Sequence, residues 1–116
     1  MTETTEDKLH QLDLQQIEWI TKLNSRLQDD LKTYSQLTHV IALAEAKRDH
    51  ERVGIAVEQP VTDEQIEALL SQQEKILLAA KAGIFNTNNT LKQLHDRRQI
   101  TIAQAREQEE LEEEAV

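Results

Sequence analysis

Two long apolar stripes run through the chain, and both keep the spacing of a helix packed lengthwise on another helix. The second is the clearer. Ile66, Leu70, Gln73, Leu77, Ala80, Ile84, Thr87, Leu91, Leu94 and Arg98 follow one another in steps of four and three without a slip, and Leu69 and Ile76 widen the stripe near its start. The first stripe is Ile17, Ile20, Leu23, Leu27, Leu31, Tyr34, Leu37, Ile41 and Ala44. Within it Ile20, Leu27, Tyr34 and Ile41 repeat strictly every seven residues. Polar and charged groups such as Lys22, Arg26, Asp29, Asp30 and Lys32 fall on its outer faces.

The stripes come with punctuation. Thr62-Asp63-Glu64-Gln65 fits a capping box, Val61 and Ile66 hold the two positions of a hydrophobic staple, and Asp63 and Glu64 set negative charge at the positive end of the helix dipole. Pro60, the only proline, stands just upstream, where its missing N–H costs nothing. At the other end of the connection, Lys47, Arg48 and Arg52 complement the dipole of the first helix, and Gly54 is placed to end it. Between them Val53, Ile55 and Val57 alternate, which suits a loop folded back over the hairpin end, or a short extended segment open to edge pairing.

The pattern therefore predicts a single helical domain, residues 1–116: a disordered acidic start (1–7), helix one (8–52), a loop (53–61), helix two (62–106) and an acidic tail (107–116). Six carboxylates in the tail oppose the dipole and should fray it. At 1.5 Å per residue, helix two would span roughly 66 Å. The fold class is all-α, an antiparallel, coiled-coil-like hairpin of two long helices. Each seam is then covered on one side only, so dimerisation to a four-helix bundle is expected. The alternative is a break near Gly83, where Asn86-Thr87-Asn88-Asn89-Thr90 are poor helix formers, giving a three-helix bundle that buries Phe85.

Composition narrows the function more than it reveals it. Two glycines, one proline and three aromatics (Trp19, Tyr34, Phe85) argue against a turn-rich β fold. With no cysteine there is neither a disulfide framework nor a thiolate metal site. The net charge of −9 is confined to the ends: residues 1–7 carry three acidic groups and 107–114 carry six, leaving 13 in the body to match all 13 Lys and Arg. A hairpin that brings the ends together would make one negative pole, suited to a basic partner or to solubility. The acidic N-terminus lacks the apolar core of a secretory signal, and the longest strongly apolar run, Ile76 to Ala80, is far short of a bilayer span, so a cytoplasmic protein without membrane insertion is expected.

Little resembles chemistry. Of His10, His39, His50 and His95, only His10 has carboxylates at helical spacing, Glu6 and Asp13, so no metal is expected. Phosphate loops, a Cys nucleophile and a Gly-x-Ser-x-Gly turn are all missing, so neither catalysis nor a cofactor is expected. The basic clusters His95-Asp96-Arg97-Arg98 with Arg106, and Lys47-Arg48 with Arg52, are matched by acid and carry no interleaved aromatics, which argues against nucleic acid.

Candidate binding residues are the apolar groups off the stripes: Leu78, Ala82 and Phe85 on helix two, and Leu12 with Trp19 on helix one. Asn86 and Asn89 join them, since asparagine within a helix suggests a register-setting polar layer or amides that grip a partner. A long-helix hairpin with Asn86-x-x-Asn89 in its last helix, after the leucine-rich segment Ile66 to Leu78, resembles the flagellar type III export chaperones over residues 62–100. After the asparagines this chain departs from an amphipathic continuation, because Leu91 to Arg98 turns basic. The resemblance implies a small cytoplasmic helper that holds the terminal helix of a hook–filament junction or filament-cap subunit. The expected function is thus a non-enzymatic module that binds an amphipathic helix of a partner protein. A purely self-assembling coiled coil is the alternative, and an acidic-tailed regulator of a basic partner is a further one.

Overall fold

The computed structural model describes residues 3–115. It is an all-α helical hairpin: α1 runs Thr5–Arg52 and α2 runs Asp63–Ala115, the two pack against each other, and the described residues contain no strand. The three-helix alternative is overturned, because α2 passes through Gly83 and the Asn86–Thr90 run without interruption. One glycine costs a helix interior only about 1 kcal/mol, which lateral packing outweighs.

Both helices open on reciprocal caps. The Gln65 N–H donates to Thr62 Oγ1 at 3.2 Å, and the Thr62 N–H donates to Gln65 Oε1 at 3.0 Å, as the capping box predicts. A second such box starts α1: the Asp7 N–H donates to Thr4 Oγ1 at 3.1 Å, and the Thr4 N–H donates to Asp7 Oδ2 at 3.3 Å. Disorder was expected for residues 1–7. Met1 and Thr2 lie outside the described residues, but Thr4 caps the helix and Thr5 to Asp7 form its first turn. The Thr-x-x-Asp spacing carries that signal in the sequence.

The C-terminus of α1 closes on Gly54, whose φ of 82° only glycine adopts freely. The Gly54 N–H donates to Glu51 O at 3.0 Å and the Ile55 N–H to His50 O at 2.9 Å, the paired bonds of a Schellman motif. Across the loop, Arg48 and Arg52 both donate to the Asp63 carboxylate, at 3.4 and 3.3 Å, fastening the end of α1 to the first turn of α2. Of the alternating loop residues, Val57 is half-buried while Val53 and Ile55 are exposed, and none is in a strand. The acidic tail also differs from expectation: helix continues past Arg106 to Ala115. Glu, Gln, Leu and Ala are all strong helix formers, and here propensity outweighs the unfavourable dipole term.

The chain divides into two compact units, one of Ser25–Gly83 and one of Met1–Asn24 with Ile84–Val116. In the first, Leu27, Tyr34, Leu37, Ile41 and Ala44 of α1 face Ile66, Leu69, Gln73, Ile76 and Ala80 of α2, all buried or half-buried. Ile66, at 3% exposure, is its most deeply buried residue. Gln73 ties the seam by donating from Nε2 to Tyr34 O at 3.3 Å and to Thr38 Oγ1 at 2.5 Å. In the second unit, Leu94 and Thr87 are buried, and Leu9, Leu12, Leu23, Leu91, Ile102 and Ala105 are half-buried around them. There Arg98, placed in the apolar stripe by its spacing, is answered by an ion pair to Asp13.

Candidate helix-binding groove

The seam of the Ser25–Gly83 unit does not use all of its leucines. On α1, Asp30 is half-buried while Leu31 stays 65% exposed; on α2, Leu69 and Ile76 turn inward while Leu70 and Leu77 remain exposed. Leu31, predicted within the first stripe, and Leu70 and Leu77, predicted within the second, therefore stand outside the packed core. The same is true of Ile17 and Ile84 in the other unit. A stripe two residues wide lets either column enter, and the facing helix accepts only one.

Two of these leucines, Leu31 and Leu77, border an open groove of about 450 Å³, in which Leu27, Leu31 and Tyr34 of α1 face Ile76, Leu77 and Ala80 of α2. Asp30 supplies the one charged group in its wall. Its Oδ2 is buried and accepts no hydrogen bond. Arg26 Nε stands 3.9 Å from that oxygen, an ion-pair distance beyond hydrogen-bond reach. A second groove of about 480 Å³ lies nearer the loop, lined by Val40, Leu43, Ala44, Val61 and Leu69 with Lys47, Gln65 and Gln72 among its polar residues. Arg48, in the same unit, also has a buried Nε without a hydrogen-bond acceptor, 3.6 Å from Asp49.

The residues singled out from the sequence are spread over both units. Leu78 and Ala82 are exposed in the Ser25–Gly83 unit. Phe85, Asn86 and Asn89 are exposed in the other, Phe85 at 66%, and Trp19 is exposed there as well. Leu12 is half-buried and lines a shallow groove with Lys8, Gln15, Arg97, Ile100 and Thr101. The buried polar residue of the Asn86–Thr90 run is Thr87, with Thr90 half-buried beside it; the asparagines face outward. The sequence pattern assigns Leu27, Leu31, Tyr34 and Leu77 to the seam and Asp30 to a solvated face. The signal that distinguishes Asp30 from Leu31 is the seven-residue column Leu23, Asp30, Leu37, Ala44, which residue type alone overlooks.

Charge chemistry on the surface is sparse. Lys22, by its hydrogen bond and its charge, holds the Glu18 carboxyl below its ordinary value on an exposed helix face. Among the described residues no group of three or more His, Cys, Asp or Glu is arranged to hold a metal ion, and no helix is long and apolar enough to cross a membrane. Comparison of the chain with protein-family models, with curated proteins and with solved structures finds no match.

Proposed function

We propose that this chain is a non-enzymatic protein-interaction module, and that the groove between Leu31 and Leu77 receives the apolar face of an amphipathic helix from a partner protein. One observation carries the reading. The groove is a ready-made slot between the two antiparallel helix walls, lined almost wholly by leucine, isoleucine, tyrosine and alanine. A third helix with apolar residues at i, i+3, i+4 and i+7 fills such a slot by ridge-into-groove packing. In this reading the protein acts in the cytoplasm as an adaptor or secretion chaperone. The narrower role of a flagellar type III export chaperone draws support from the exposed Asn86 and Asn89 on α2.

A fluorescently labelled amphipathic peptide of about 20 residues tests the reading by anisotropy. Wild type should bind it saturably, Leu77→Glu should abolish binding with helicity intact by circular dichroism, and a scrambled peptide of equal composition should not bind. No saturable binding up to 100-fold peptide excess would sink the proposal. The export-chaperone role has its own check: co-purification with the terminal helix of a junction or cap subunit, lost in Asn86→Ala/Asn89→Ala.

Self-assembly is a second reading with an observation of its own. Within the Ser25–Gly83 unit Leu31, Val40, Leu43, Leu70, Leu77 and Leu78 all remain exposed, more large apolar side chains than a helix pair leaves to water without a partner. Sedimentation equilibrium separates the two, since a tight dimer that binds no helix would favour self-assembly alone.

A further inference from the structure

In the Ser25–Gly83 unit, α2 carries a second face that α1 leaves uncovered. Leu77 and Leu78 are 42% and 56% exposed there, and Glu74 and Lys81 are exposed with them. We propose that this face packs on the same face of a second copy of the chain, with the two α2 helices antiparallel and Glu74 of each copy paired with Lys81 of the other. The proposal rests on the self-assembly reading above and gives it a surface and a direction.

The face follows from helix spacing. Leu77 and Leu78 are adjacent in sequence and so point about 100° apart, and Glu74 and Lys81, two turns from each other, both fall within that wedge. The result is a leucine on each flank and one charge of each sign along the middle. Leu70, 45% exposed, extends the Leu77 flank by two turns. Neither charge is used within the chain. No opposite charge stands three or four residues from Glu74 or Lys81 on α2, and among the described residues neither makes an ion pair. Exposed leucines on both flanks mark a contact surface, and the two charges identify what covers it. Positions 74 and 81 are equidistant from the midpoint between Leu77 and Leu78. A two-fold axis through that midpoint, perpendicular to both helices, sets Leu77 on Leu77, Leu78 on Leu78 and each Glu74 opposite a Lys81. A parallel pair would instead set Glu74 on Glu74 and Lys81 on Lys81, like charges brought together at a face losing its water. The face is thus complementary to itself in the antiparallel direction. A foreign helix would have to carry the same two charges in inverse order; a second copy supplies them at the register its leucines need.

Charge reversal on the full chain, read by sedimentation equilibrium, tests the pairing. Wild type should dimerise. Glu74→Lys and Lys81→Glu should each raise the dimer dissociation constant roughly tenfold or more, because each sets two like-charge contacts across the axis. The double variant Glu74→Lys/Lys81→Glu restores opposite charges there and should return to within about threefold of wild type. Both positions are exposed and lie outside the groove lining, and far-UV circular dichroism confirms that the variants keep their helicity. A wild type that stays monomeric at millimolar concentration overturns the proposal and the self-assembly reading together. A dimer indifferent to the single reversals overturns the proposal and leaves self-assembly standing, through another face or direction. Single reversals that weaken the dimer without rescue in the double variant show that the two charges do not face each other, and they overturn the proposal as well.

Discussion

Replacing Asp30 with leucine should make the fold more stable, although it deletes an ion pair. Asp30 occupies a seam position of α1 with its side chain 27% exposed and Oδ2 buried without a bond. An unsatisfied buried acceptor costs about 1–3 kcal/mol. The only compensation is Arg26 at 3.9 Å, whose side chain is 56% exposed; screening leaves such a pair about 0–1 kcal/mol. Leucine at the same place would bury about three-quarters of a side chain whose full burial contributes about 1.5–3 kcal/mol. It also gains a few tenths of a kcal/mol in helix propensity over aspartate. After allowing for a compact unfolded state, the net gain is about 2 kcal/mol. A chain of 116 residues unfolds with an entropy of roughly 0.24 kcal/mol/K, so Tm should rise by about 8 °C.

Urea denaturation followed by circular dichroism measures this directly. The midpoint should shift upward with the slope unchanged, since the surface exposed on unfolding barely alters. The measurement is repeated at two protein concentrations, because any self-association adds its own concentration-dependent term. Asp30→Asn serves as the comparison, keeping the polar atoms and losing the charge, and should stay within about 1 kcal/mol of wild type. An Asp30→Leu variant no more stable than wild type would refute the reasoning. It would mean that the carboxylate is satisfied where it stands.

The two glycines should respond to alanine with opposite signs. Gly83→Ala should raise stability by about 0.5–1 kcal/mol, since a Cβ there meets Arg26 at an ordinary 3.6 Å within a regular helix; Gly54→Ala should lower it by about 1 kcal/mol because its φ is 82°. Thermal melts of both resolve the pair, and equal signs would contradict the helix geometry. Asp13→Ala leaves Arg98 without its partner in the seam and should cost about 1 kcal/mol; Arg98→Met in the same background should recover part of it in a double-mutant cycle. The Glu18 carboxyl is held below its ordinary 4.5 by Lys22. Its stabilising contribution is therefore complete above that pH and is lost as the pH falls through the lowered value; Glu18→Gln should remove this acid-side dependence from the melting profile.

How the sequence encodes this fold can be read column by column. Helix type, the Thr62 cap, the Gly54 stop and the column Ile66, Gln73, Ala80, Thr87, Leu94 all follow from spacing, because each is set by local chemistry or by a strict seven-residue period. The second column of α2 is different. From Leu91 onward it is the expected one, with Leu91 and Arg98 half-buried, but before it the inward residues are Leu69, Ile76 and Gly83 rather than Leu70, Leu77 and Ile84. Where adjacent positions are both apolar, the period cannot choose between them, and the choice falls to the facing helix. On α1 the outcome runs against hydrophobicity itself, since Asp30 goes in and Leu31 stays out. Asp30 nonetheless falls on the seven-residue column Leu23, Asp30, Leu37, Ala44, every member of which is buried or half-buried, so the strict period selects it where residue type alone selects Leu31. The leucines this leaves outside the seam, Leu31 and Leu77, become walls of the groove.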